Sequence, residues 1–193
     1  LTWLEFPTDK GSVKMNVQLV IDNEKQNAAG GKAYQRLDPV SARLITEGAA
    51  CSVEDALRAA ASSQAAFKTW SKVGPTERRR LLLAAADVLE SKMATFCTVM
   101  AEESGAAQLW AQFNVGASAN LLREAAALTT QIKGETIPTD KANTLSMTLR
   151  QPVGTVLSIV PWNGPVVLGA RAIAYPLACG NTVIFKGSEN SPR

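Results

Sequence analysis

The stretch from Val153 to Arg193 constrains this chain most. Its run VGTVLSIVPWNGPVVLGARAIAYPLACGNTVIFKGSE reads as strand, tight turn, helix, strand. Thr155 to Val160 is apolar and rich in β-branched residues, which predicts a strand buried on both sides of a parallel sheet. Pro161-Trp162-Asn163-Gly164-Pro165 then turns the chain, and Pro165 suits the first turn of a helix, where its missing N–H costs nothing. The helix predicted over 165–179 is closed by Gly180, and Asn181 to Lys186 forms a second buried strand. Together these make one βαβ unit of an α/β fold, and in such folds ligands sit at the carboxyl ends of the strands. Asn163, Lys186, Ser188 and Glu189 fall at those ends. An amide, a cation and a carboxylate at one sheet edge are a candidate polar ligand site.

Composition bounds the function classes. A chain of 193 residues, 46% hydrophobic and 19% charged, is long enough for one globular domain with a real core. The net charge of +3 is slight, and the densest run, Arg78-Arg79-Arg80, is expected to be a solvated helix face, so no nucleic-acid partner is implied. No apolar stretch approaches the roughly 20 residues of a membrane span, and no secretory signal pattern is visible, so no membrane partner is expected. Cys51, Cys97 and Cys179 are widely spaced, which fits a reducing cytoplasm better than a disulfide framework. The chain contains no histidine, which removes a Ser-His-Asp triad, a histidine metal site and the usual neutral-pH proton shuttle; no metal is expected.

Along the chain, Val17–Asp22 and Lys32–Leu37 bracket a glycine-containing loop and predict a β-hairpin. Ser52 with Asp55 three positions on is a capping box, opening a helix whose apolar stripe runs through Val53, Ala56, Leu57, Ala60, Phe67 and Trp70. Further helices are predicted over about 76–92 (buried through Leu82, Ala85, Ala86 and Leu89), 94–104 (stopped by Gly105) and 106–133. Residues 144–151 alternate enough for a strand. No internal repeat or low-complexity segment is present.

PWNGP followed 20 residues later by FKGSE resembles the aldehyde dehydrogenase superfamily, in particular its salicylaldehyde- and vanillin-dehydrogenase-like branch. The resemblance runs from about Met15 to Arg193 through SVEDALRAA, AFKTWSKVGPTERRRLLLAAADVLE, EESG and IPTD. It implies an incomplete cofactor domain over 15–193, comprising a β-hairpin, a four-helix segment and one βαβ unit. Residues 1–14 form an extra segment outside the likeness. Whole enzymes of the family are more than twice this long. By resemblance, their cysteine nucleophile, carboxylate base and pyrophosphate-binding helix lie past Arg193, so the chain alone is expected not to oxidise aldehydes or to hold NAD tightly.

The resemblance also implies site roles. Asn163 matches the asparagine whose amide donates to the oxyanion of an attacked aldehyde, although asparagine also closes turns without further purpose. Lys186, Ser188 and Glu189 match the segment that holds the adenosine ribose of a nicotinamide cofactor. A carboxylate at that place favours NAD over its 2′-phosphorylated form. The bland reading of Lys186 and Glu189 is an exposed ion pair of little worth. Ile159, Val160, Pro161 and Trp162 would line the nicotinamide side. Cys97 and Cys179 read as small buried hydrophobes. Trp110 with Phe113 reads as core or as the wall of an aromatic pocket, with Asn114 and Arg123 as further ligand contacts. By resemblance, the 144–151 strand belongs to an oligomerisation element. Its open edge and those of 155–160 and 181–186 lead us to expect a homodimer or higher oligomer.

Three functional classes follow. The chain is the amino-terminal part of an NAD-dependent aromatic aldehyde dehydrogenase. Alternatively it is a short homologue recruited for non-redox biosynthetic chemistry (cyclisation, isomerisation or aldol-type) on an aromatic or other carbonyl compound. There Asn163 and Lys186 in a greasy pocket would be the catalytic residues, Lys186 even as a Schiff-base amine. In the third class it is a pseudoenzyme that scaffolds a full-length relative.

Overall fold

The computed structural model describes residues 15–193. The segment 1–14 set apart above lies outside them. The order of elements is β1 (Met15–Val17), β2 (Leu19–Ile21), β3 (Glu24–Gln26), β4 (Ala33–Leu37), β5 (Leu44–Ala49), α1 (Val53–Trp70), α2 (Pro75–Ser91), α3 (Met93–Ser104), α4 (Gln108–Leu128), β6 (Thr136–Ile137), β7 (Ser146–Met147), β8 (Thr155–Ile159), α5 (Pro165–Ala178) and β9 (Thr182–Lys186). The α/β class and the βαβ unit expected from the sequence are both present. β8 and β9 pair in parallel, with Thr155 opposite Thr182 and Ile159 opposite Lys186.

The amino-terminal strands pair differently from the expected hairpin. β2 folds back on β3 across Asp22-Asn23, and β4 pairs antiparallel with β5, which also takes β1 in parallel. Asp22 and Asn23 both adopt positive φ, 56° and 61°, which gives the tight turn that closes β2 on its immediate neighbour. β5, unrecognised in the sequence, then offers 33–37 a better edge than 17–22 can. The strand expected over 144–151 is reduced to Ser146–Met147, paired with Thr136–Ile137.

The capping box is as expected. Ser52 accepts from the Asp55 N–H, and the Asp55 carboxylate accepts from the Ser52 N–H at 2.8 Å. That carboxylate also accepts from Ala29 N at 3.0 Å, which draws Asp55 fully inside and rotates α1 about its axis. The predicted stripe is therefore turned partly outward. Leu57 is 66% exposed and Val53 more so, while Ser63 is buried and Phe67 and Trp70 are half-buried. α1 then reaches the βαβ unit by polar bonds. Thr182 Oγ1 donates to the Ser63 carbonyl at 2.9 Å, and Trp70 Nε1 donates to the Leu177 carbonyl at 3.3 Å.

The core lies where α2, α4 and α5 meet. Leu82, Ala86, Ala119, Leu122, Ala125, Ala126, Ala174 and Ala178 form one buried cluster. Alanine at most of these positions lets the helix backbones approach closely, so dense packing is reached with little side-chain volume. Ala85, placed in this core from the sequence, is exposed instead. Arg78 departs from the expected solvated arginine run. It is half-buried and donates to the Val73 carbonyl, whereas Arg80 pairs outside with Glu77. A second cluster of Cys97, Met100 and Ala111 joins α3 to α4, and α3 ends on Gly105 in the left-handed conformation, φ 68°.

The β8–β9 pair is not buried on both sides. Ser158 faces α5, with its hydroxyl donating to the Ala172 carbonyl at 2.9 Å, but Leu157 and Ile159 are 60% and 68% exposed. The sequence carries the apolarity of a two-sided strand; among the described residues α5 packs on the Ser158 face, while on the other α1 meets the amino end of the pair at Thr182 and leaves Leu157 and Ile159 open.

Candidate functional site

The site grows from the carboxyl ends of β8 and β9. Val160 N–H donates to the Lys186 carbonyl at 3.2 Å, which extends the ladder one step past the strands before the chain turns through 161–164. Pro165 then starts α5 as its first residue, and Leu168 N–H bonds back to the Gly164 carbonyl at 2.9 Å. Asn163 stands exposed on this turn. Its backbone carbonyl accepts from Trp110 Nε1 at 3.2 Å, whereas its carboxamide makes no bond among the described residues and is available as a donor.

Trp110 brings α4 to the turn. Its ring stacks on Phe113 with centroids 5.3 Å apart and planes 20° from parallel. Both rings are substantially exposed, so they form a wall rather than core. Beyond them a groove of about 420 Å³ runs between α4 and α5, with Phe113, Ala117, Leu121 and Val167 as its apolar lining and Asn120, Glu124 and Arg171 as its polar one. Arg171 has no acidic partner among the described residues.

Asn114 turns out to be structural. It is fully buried, its Nδ2 donates to the Trp110 carbonyl at 3.0 Å, and its Oδ1 accepts from Val167 N at 3.4 Å. That N–H lies in the first turn of α5, where helix donors lack internal partners, so Asn114 caps α5 from a neighbouring helix. The signal for this was present in the sequence. Asn114 sits on the same stripe of α4 as Ala111, Val115, Ser118 and Leu122, all buried. A Cβ at Gly164 would meet Asn114 Oδ1 at an ordinary 3.4 Å but Val167 Cγ1 at a tight 3.2 Å, so any other residue here has to displace that methyl group by a few tenths of an ångström. Arg123 is also structural. It reaches Glu90 at 2.7 Å and Asp87 at 2.9 Å on α2.

On β9, Lys186 Nζ lies 3.2 Å from Glu189 Oε2, with side chains 56% and 66% exposed. Glu189's own backbone N–H, and then Lys186, hold its carboxyl below the usual carboxylate range. The lysine amine therefore stands in water beside a carboxylate, not in a greasy pocket. Ser188 is buried, and its hydroxyl accepts from Asn190 N at 3.2 Å, so it shapes the turn after β9. Of the four residues expected beside the nicotinamide, Ile159, Pro161 and Trp162 are exposed and Val160 is buried. No hydrogen bond joins Asn163 to Lys186; the two stand at neighbouring strand ends, Asn163 turned to α4 and Lys186 to Glu189.

Sequence reasoning passed over Asn181. Its Oδ1 accepts from Val153 N at 2.7 Å and Gly154 N at 3.1 Å, while its Nδ2 donates to the Pro176 carbonyl at 3.3 Å. It thus pins the start of β8 to the end of α5. Cys179, expected to be a buried hydrophobe, is exposed. It caps the end of α5, just before β9, and so stands at the opposite end of that strand from Lys186. Cys97 is buried as expected. Among the described residues no group of acidic or cysteine side chains is placed to hold a metal, and no helix is long and apolar enough to cross a membrane.

A model of the aldehyde dehydrogenase family matches residues 25–193. The salicylaldehyde dehydrogenase of Pseudomonas putida is 63% identical over 178 residues, 92% of this chain and 37% of the relative. The vanillin dehydrogenase of Pseudomonas fluorescens is 48% identical over 178 residues, with the same 92% and 37% coverage. The crystal structure of a salicylaldehyde dehydrogenase from Pseudomonas putida G7 complexed with salicylaldehyde superposes with a TM-score of 0.91 at 63% identity, covering 92% of this chain and 37% of that one. That of PnpE in complex with nicotinamide adenine dinucleotide gives a TM-score of 0.89 at 34% identity, with the same coverage. The chain thus spans 37% of the length of these relatives.

Proposed function

Because the chain belongs to the aldehyde dehydrogenase family, we propose that it supplies the oxyanion donor and the adenosine-ribose grip for NAD-dependent oxidation of an aromatic aldehyde. The observation that carries this reading is the bond from Trp110 Nε1 to the Asn163 carbonyl. It seats an unpaired amide donor against a stacked aromatic wall at the mouth of an apolar groove. An aromatic ring lies against Trp110 and Phe113, with the Arg171 guanidinium offered to a polar ring substituent. The aldehyde oxygen then faces the Asn163 carboxamide. As a nucleophile adds to the carbonyl carbon, negative charge grows on that oxygen, and an amide donor placed beside it favours the charged state by about 3 kcal/mol.

Lys186 and Glu189 suit a ribose. A cationic donor beside a carboxylate acceptor matches vicinal hydroxyls, each of which both accepts and donates, and the carboxylate repels a 2′-phosphate. Bound nicotinamide cofactor supplies the hydride acceptor. Lys186 acts as ribose donor in this reading and not as a Schiff-base amine, since its amine is exposed and ion-paired. None of the three cysteines reaches the turn: Cys97 is buried, Cys51 precedes α1, and Cys179 stands at the wrong end of β9. The nucleophile therefore comes from elsewhere. The exposed β8–β9 face is covered by a second copy of the chain.

The test is a titration of the ¹⁵N-labelled chain with salicylaldehyde, alongside absorbance of NADH in the presence of NAD. The Trp110 indole resonance is expected to shift in the wild type and much less in Phe113→Ala, with no NADH formed. An unmoved Trp110 resonance at saturating aldehyde overturns the substrate wall, and turnover above a heat-killed control overturns the assignment of the nucleophile.

A further inference from the structure

Glu103, the penultimate residue of α3, is 1% exposed although it carries a carboxylate. Its Oε1 accepts from Arg193 Nε at 3.0 Å and from Thr46 Oγ1 at 3.2 Å, and its Oε2 accepts from the Arg193 backbone N–H at 3.4 Å. Arg193 also reaches Glu102 at 2.6 Å, and its side chain is 8% exposed. Arg36 of β4 donates to the Glu103 carbonyl through Nε at 2.9 Å and through Nη2. One carboxylate thus ties α3, β5 and the segment beyond β9 together. Burial raises the Glu103 carboxyl above its ordinary range, and the bonds from Arg193 and Thr46 only partly oppose this.

Such a buried pair is a poor source of stability, because desolvating both charges offsets most of their attraction. What it does provide is position. Between Lys186 and Arg193 the chain forms a tight turn, with Ser191 N donating to the Ser188 carbonyl at 3.1 Å and Asn190 N to the Ser188 hydroxyl at 3.2 Å. The turn is fixed at one end by the β8–β9 ladder and at the other by Glu103. Glu189 lies between the two anchors, near enough to Tyr34 of β4 for its charge to help raise that phenol, after burial and Glu103.

We propose that Glu103 is a positioning residue for nucleotide binding: through Arg193 it presets the 187–193 turn so that Glu189 and Lys186 meet the ribose without reordering. The role rests on the ribose grip proposed above. Preorganisation of this kind acts on affinity by removing an ordering cost.

The test titrates the full chain with NAD and, separately, with nicotinamide mononucleotide, which lacks the adenosine ribose. Glu103→Gln is expected to weaken NAD binding about tenfold and to leave nicotinamide mononucleotide unchanged, the loss expected for one ordered contact. Amide hydrogen exchange should quicken in 187–193 and stay the same in α2, α4 and α5. Equal weakening of both nucleotides marks general damage and overturns the positioning role. Unchanged NAD affinity in Glu103→Gln, with Glu189→Gln still weakened, overturns that role and leaves the grip standing. Indifference to Glu189→Gln and Lys186→Met, or no binding by the wild type at millimolar NAD, removes the grip and the role with it. If Glu103→Gln does not fold, Thr46→Val removes a single donor and should weaken NAD alone by about threefold.

Discussion

The α2–α4–α5 layer and the β8–β9 pair are both apolar in sequence, yet they end in opposite environments. The helices close on themselves through alanines, and Ala86, Ala119, Ala125 and Ala174 are wholly excluded from water. The strands carry larger groups and leave Leu157 and Ile159 largely open. Small side chains let neighbouring helices satisfy one another within the described residues, whereas a strand meant for two-sided cover needs a second layer of protein. The candidate site lies along the seam, with Asn163 held by the closed layer and Lys186 carried by the open one.

The largest expected effect is in the closed layer. Leu82→Ala empties a nearly fully buried position of the closed layer and should cost about 2–5 kcal/mol in urea unfolding. A loss under about 1 kcal/mol would show that this layer is loosely packed and break the distinction.

Next come two asparagines at one turn. Asn114→Ala leaves the Val167 N–H without its partner and should cost about 1–3 kcal/mol. Asn163→Ala should change stability by less than about 0.5 kcal/mol, since its carboxamide is exposed and unbonded. Equal losses would mean that the turn asparagine is structural after all, and the oxyanion role would fall.

The smallest expected effect is Leu157→Ser on the open face, within about 0.5 kcal/mol of the wild type at concentrations where the chain is monomeric. Light scattering sharpens the contrast. If copies cover one another there, the variant should shift the assembled fraction towards monomer, and an unchanged distribution would place the interface elsewhere.

Sequence made local features legible and left distant ones hidden. The Ser52–Asp55 box, the Gly105 stop and Pro165 at the start of α5 depend on neighbours within four residues, and all were readable. The rotation of α1 was not, because it is set by a bond from Ala29, 26 residues before Asp55. Asn114 and Val167 lie 53 residues apart, and Glu103 and Arg193 90 apart. No periodicity announces such pairs. β5 stayed hidden because LITEGA is apolar for only half its length, and its strand character comes from the two partners it accepts. The candidate site was legible as a place, the carboxyl ends of two parallel strands. Its division of labour was not: Asn114 proved to be a cap, Ser188 a turn former and Arg123 a surface brace.

Gly164 has a consequence for how a protein of this kind can diversify. A Cβ there would press on Val167 Cγ1 at 3.2 Å and only touch the oxygen of Asn114 that caps α5, at 3.4 Å. A lineage that refashions the floor of the turn at 164 therefore has first to make room at position 167, while position 114 can stay as it is. The adjustment falls in the first turn of α5, the turn that Asn114 caps. Selection for a new substrate would then be felt first at the start of that helix, and the accessible routes would run through the residue at 167.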